Sequence, residues 1–208
     1  MSTWRNIDGV RVGSFTDPPE PTLRRVAETL LLMKQQSPLH YSRILRHLDR
    51  IWVDVLADAN ASYWRKLNAC KLDERFVLRE DTTIEQIASA IVHEATHARL
   101  DRWGVAYDEA KRHRIETICM RRELDFVSEL PASDALQDQL RLMLDYYRNN
   151  AEFFTDGNMR ARYEDGALET LRHLGVPNWL VALFARVVKL RRRVDVARDG
   201  EGRYNGLS

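Results

Sequence analysis

The chain has 208 residues, a formal net charge of +1, 44% hydrophobic residues and 30% charged residues. That size and balance fit one globular domain with a sizeable core and exclude a long disordered tail. They also exclude a global electrostatic attraction to nucleic acid or to an anionic membrane. Only Cys70 and Cys119 are present, too few for a disulfide framework, so each reads as a small buried hydrophobe. Met1 to Asp8 lacks the apolar run of a secretory signal, and the expected location is cytoplasmic.

Val10 to Phe15 reads as a short strand, followed by the breaker Asp17-Pro18-Pro19-Glu20-Pro21. Thr22 starts an amphipathic helix through Leu23, Val26, Leu30 and Met33, which ends before Pro38. His40 to Leu48 is ambiguous, with a second short helix as one reading. Ile51 to Leu56 is rich in β-formers, Asp58 to Ala61 is a turn, and Tyr63 to Cys70 is expected to pair back as a hairpin. Arg75 to Arg79 reads as a further strand. The sum is a small, mainly antiparallel sheet.

Thr82 and Glu85 then form a capping-box signal for a helix. Ile84, Ile87, Ala88, Ile91, Ala95 and Ala98 give it an apolar stripe, and Gly104 suits the position just past its end. On the opposite side lie His93, Glu94 and His97, in the pattern H-E-x-x-H. Residues four apart stack on one helix face, so two neutral imidazoles can hold one Zn²⁺ at about 2.0–2.1 Å each. Glu94, about 100° further round, is placed to handle a proton rather than to bind the metal.

A catalytic zinc takes three protein ligands. The third is sought on the next helix, expected from Tyr107 to about Val127, where Glu109, His113, Glu116 and Met120 lie along one side. Glu116 ranks first, Glu109 second and His113 third. The bland alternative is a surface helix that happens to carry two histidines, followed by a solvated glutamate.

Over roughly residues 50–125 the sequence resembles the gluzincin branch of the zincin metallopeptidases. The resemblance implies His93 and His97 as metal ligands, Glu94 as general base, Glu116 as third ligand and Zn²⁺ as cofactor. It implies a zincin-like α+β fold, with a small sheet leading into the active-site helix and a helical C-terminal half. One departure is Met120, where the family pattern has an aspartate that orients a histidine; Asp101 is the expected substitute. Tyr107 and His113 are candidates to stabilise the oxyanion.

The expected organisation is a single domain over 1–208. Its sheet and motif helix reach about 104, its helical part spans about 105–195, and a flexible tail begins at about 196. Asp134 to Tyr147, Ala167 to Leu174 and Trp179 to about Arg192 are the later helices, with Tyr163 ending a segment of uncertain form. Tyr146-Tyr147 and Phe153-Phe154 are candidates to line an apolar pocket, although paired aromatics are more often simply core. The last helix runs from Trp179-Leu180-Val181 into Arg186, Lys189 and Arg191-Arg192-Arg193. It is too short to span a bilayer, and a core or homodimer-facing role is preferred over membrane or nucleic-acid binding. The expected activity is zinc-dependent cleavage of a peptide or protein substrate. The alternatives are hydrolysis of a non-peptide amide and a non-catalytic or regulatory zinc-binding protein on the same fold, including a regulator that binds a partner or, through its C-terminal basic helix, nucleic acid.

Overall fold

A computed structural model of the chain describes residues 3–204. Strands β1 (Thr3–Ile7) and β2 (Val10–Ser14) form an antiparallel hairpin, turning at Asp8 and Gly9, both at positive φ. Helices α1 (Glu20–Gln36) and α2 (Pro38–His47) then cross the sheet, and β3 (Arg50–Asp54) returns parallel to β2. Next come β4 (Ala61–Trp64), a 3-10 turn (Arg65–Leu67) and β5 (Ala69–Asp73). β5 lies parallel to β3, and β4 pairs antiparallel with β5 at the edge, giving the order β1-β2-β3-β5-β4.

The sheet is therefore mixed, not mainly antiparallel. A helical crossover between β2 and β3 enforces the parallel pairing. The chain then visits the edge as β4 before it enters beside β3, so the hairpin joins β4 to β5 rather than Tyr63–Cys70 to β3.

Arg75 to Arg79 is not a strand either: α3 occupies Glu74–Leu78. The carboxylate of Asp73 accepts the Phe76 amide at 3.2 Å and caps that helix, which overrides the β propensity of the following residues. Helix α4 spans Ile84–Arg102, and its capping box is Thr83 with Gln86, one residue later than expected. Thr82 is buried beneath it instead. Helix α5 (Glu109–Val127) starts at the Asp108 cap and packs against α4.

Helix α6 (Asp134–Asn149), a 3-10 turn (Ala151–Phe154), α7 (Asp156–His173) and α8 (Asn178–Tyr204) complete the chain. From Asp156 onward, the segment of uncertain form and the helix expected from Ala167 are thus one helix. The glycine at 166 marks a close approach: a Cβ there would collide with the Ala57 carbonyl oxygen. α8 continues through the region from about 196 where a tail is expected, and 205–208 lie outside the described residues.

The core lies between one face of the sheet and helices α1, α2 and α4. Val12, Ile51, Val53 and Leu72 point down from the strands onto Leu23, Val26, Met33, Ile87 and Ile91, all fully buried. Ile87 and Ile91 belong to the apolar stripe of α4, so the opposite stripe, with the two histidines, lies outside this core. Among the described residues no helix is long and apolar enough to cross a membrane. The architecture is α+β, with a mixed five-stranded sheet and a mostly helical remainder.

Candidate metal centre

His93 and His97 stack one turn apart on α4, their rings 4.9 Å apart between centroids. Their Nε2 atoms are 3.1 Å apart. Glu116 reaches in from α5: its Oε2 is 3.1 Å from Nε2 of His93 and its Oε1 is 3.3 Å from Nε2 of His97. Ligands on a tetrahedral zinc with bonds of about 2.0–2.1 Å stand about 3.3–3.4 Å apart. The two imidazole nitrogens are nearly at that spacing from each other, and each is so from a different oxygen of the Glu116 carboxylate, so the residues present fit a zinc ion.

The other two candidates for third ligand lie elsewhere. Glu109 is exposed in the first turn of α5. His113 turns aside and donates from Nε2 to the Tyr147 carbonyl at 2.8 Å. Asp101 does not orient a histidine; it accepts from the Tyr63 hydroxyl at 3.2 Å and pairs with Arg65 at 2.8 Å. The carboxylate that meets the other ring nitrogen of a histidine is Glu123, whose Oε1 is 3.3 Å from Nδ1 of His93. It follows Glu116 by seven residues, two turns along the same helix face. That spacing is readable in the sequence once Glu116 is taken as the third ligand.

Cys119 belongs to the site as well, beyond the role of a small hydrophobe expected for it. Its Sγ and one nitrogen from each of His93 and His97 lie within 4.8 Å of one another. Tyr107 donates its hydroxyl to Oε1 of Glu116 at 2.6 Å, so in this state it steadies the third donor.

The electrostatics follow from burial and pairing. Burial alone would push both imidazoles towards neutrality, but the surrounding acidic groups win. His93 is raised well above its ordinary value by Glu123 and Glu116. His97 is raised to about 10, chiefly by hydrogen bonds that its ring donates to Cys119 and Glu116. Burial opposes ionisation of Glu116, yet its two histidine partners hold it well below the usual carboxylate range. Glu94 is 6% exposed, and burial raises its pKa despite the neighbouring histidines.

These groups open onto a cleft of about 790 Å³. One wall is the edge strand β4 with the loop before it, including Asn60, Ser62 and Tyr63. The facing wall comes from the C-terminal helices: Leu140, Met143, Tyr147, Phe153, Phe154 and Arg162. Tyr147 and the two phenylalanines line this cleft rather than serving only as core, whereas Tyr146 is outside the lining. Compared with known proteins, the chain matches no family model, no curated protein and no solved structure.

Proposed function

We propose that the protein is a zinc-dependent hydrolase of zincin type that cleaves a peptide bond in a peptide or protein substrate. The observation that carries this reading is the convergence of two stacked imidazoles on the two oxygens of the Glu116 carboxylate, beside a buried carboxylate that lines the same cleft. His93, His97 and Glu116 would hold the metal. When bound, zinc acts as a Lewis acid that acidifies water and polarises a carbonyl oxygen.

The chain's own residues supply the rest. Glu94, one residue from His93, takes a proton from the attacking water and delivers it to the leaving nitrogen. Its burial keeps competing solvent away from that transfer. Glu123 fixes the ring of His93, and Tyr107 fixes the carboxylate of Glu116. The apolar wall around Tyr147, Phe153 and Phe154 suits an apolar substrate side chain, while β4 offers unpaired backbone groups to an extended chain.

A second reading, a non-catalytic zinc-binding protein, is favoured by one observation. A thiolate from Cys119 near both histidines could fill the position a catalytic site leaves open. Metal analysis combined with Glu94→Ala separates the two. The hydrolase reading expects about one zinc per chain, retained in the variant, with hydrolysis lost. Zinc content unchanged by His93→Ala would overturn the metal site. An X-ray absorption spectrum with a sulfur neighbour at about 2.3 Å would favour the closed, non-catalytic site.

A further inference from the structure

The face of the sheet turned away from α1, α2 and α4 carries side chains that the hydrolase reading does not use. Strand register sets them out in two rows. Trp4, Gly13, Trp52, Lys71 and Ser62 are cross-strand partners in one row, and Asn6, Arg11, Arg50, Ala69 and Trp64 in the next. Trp52 is the hub: its ring centroid is 5.5 Å from Trp4, 4.5 Å from Phe15 and 5.9 Å from Trp64. Trp4 lies over Gly13, where any Cβ would overlap its ring. The outer three aromatics remain open to solvent, with Trp4 40%, Phe15 50% and Trp64 38% exposed.

The basic groups on this face are unusual in their pairing. Arg11 and Arg50 stand directly opposite each other on adjacent strands, an arrangement of like charges that costs stability. Neither makes an ion pair among the described residues, in contrast to Lys71, which pairs with Asp54 at 3.3 Å. Two donors on the same face, Nε of Arg50 and Nε1 of Trp52, are buried without a hydrogen-bond partner. An aromatic row alone would suit a neutral sugar. Two uncompensated guanidinium groups beside it call for an anionic ligand that also has flat faces to stack.

We propose that this outer face binds single-stranded nucleic acid, with bases stacking on Trp4, Phe15, Trp52 and Trp64 and phosphates paired to Arg11 and Arg50. Stacking on aromatic rings tolerates any base, and the phosphate contacts follow the backbone, so the recognition is by strandedness rather than by sequence. The net charge of +1 does not oppose this, because the attraction is local to one face. The platform is independent of the metal site.

The test uses the full chain with fluorescein-labelled oligo-dT and oligo-U of about 12 nucleotides, within the usual span of such sites. Binding is expected to quench tryptophan fluorescence and to weaken steeply with salt. Trp64→Ala should weaken it roughly 5- to 150-fold, the worth of one stacked base. Arg11→Gln should lower the slope of log affinity against log salt by about 0.7, one phosphate contact. Both side chains are exposed, and unchanged circular dichroism and melting would show that the variants fold. The difference between the two probes tells whether DNA or RNA is preferred. The proposal is overturned if neither oligonucleotide binds, if both variants bind like wild type, if duplex DNA binds as well as single strands, or if a neutral oligosaccharide quenches in their place.

Discussion

Glu123 stands 3.3 Å from Nδ1 of His93, on the side of the ring away from Glu116. The two carboxylates thus bracket one imidazole; in the proposed zinc site one would share its metal and the other would fix its tautomer. A carboxylate in the outer position strengthens a histidine ligand without touching the ion.

Glu123→Gln keeps the shape and removes the charge. The expected result is zinc affinity lower by about 10- to 100-fold with the stoichiometry intact. Competition against a chromophoric chelator measures it, and an affinity equal to wild type would remove Glu123 from the site.

The metal-free chain should be most stable slightly below neutral pH, with different histidines limiting it on each side. His93 and His97 have raised pKa values, so their contribution is complete below the unfolded value of about 6.5 and is lost as pH rises. For His97 that loss continues to about pH 10. His40 is the opposite case: buried and hydrogen-bonded to Ser37 at 2.9 Å, it is held below its ordinary value by desolvation, against the pull of Glu129. His47 is lowered in the same way, with the nearby arginines adding to burial. A depressed pKa gives stability that is present above about 6.5 and is lost as pH falls. Urea denaturation from pH 8 to pH 5 in the presence of chelator should show the maximum, and His40→Gln should flatten its acid side. A maximum that stays at higher pH with zinc removed would contradict the assignment.

The sequence makes the centre of the site legible and leaves much of its surroundings obscure, for physical reasons. His93, Glu94 and His97 sit within one helical turn, where spacing alone places them, and Glu116 follows from a helix that must fold back. Spacing makes Asp101, one turn from His97, the expected orienting carboxylate, but Tyr63 and Arg65 engage it from β4 and the turn that follows. Contacts of that kind depend on strand order, and local periodicity does not encode whether β5 enters the sheet beside β3. Arg75 to Arg79 misleads for a simpler reason. Its Phe-Val-Leu run matches a strand, while the deciding group is one carboxylate before it.

That carboxylate, Asp73, gives a direct test of the local fold. It is 3% exposed, accepts the Leu56 amide at 2.8 Å and the Phe76 amide at 3.2 Å, and pairs with Arg75 at 2.9 Å. Asp73→Ala removes a helix cap and strands a guanidinium that is part buried. The expected loss is about 2–4 kcal/mol in urea denaturation. Asp73→Asn, which keeps a cap acceptor, should lose less; equal losses would mean that the charge rather than the cap holds α3.

Gly166 sets helix propensity against packing. Alanine in a helix interior is favoured over glycine by about 1 kcal/mol. At position 166, however, the added carbon meets the Ala57 carbonyl and the Cα of Asp58, which are backbone and have no rotamer to move to. Thr170, one turn further, donates to the Leu56 carbonyl at 3.1 Å and holds α7 against the same loop. Overpacking of this kind costs about 1–3 kcal/mol, so packing should win and Gly166→Ala should lower the melting temperature. Gly157, in the first turn of the same helix, has open space where a Cβ would go. Gly157→Ala should therefore leave the melting temperature unchanged or raise it. Because Asp58 and Asn60 line the cleft, displacement of that loop by Gly166→Ala should also weaken substrate binding. A stabilised Gly166→Ala variant would show that α7 does not rest on the loop.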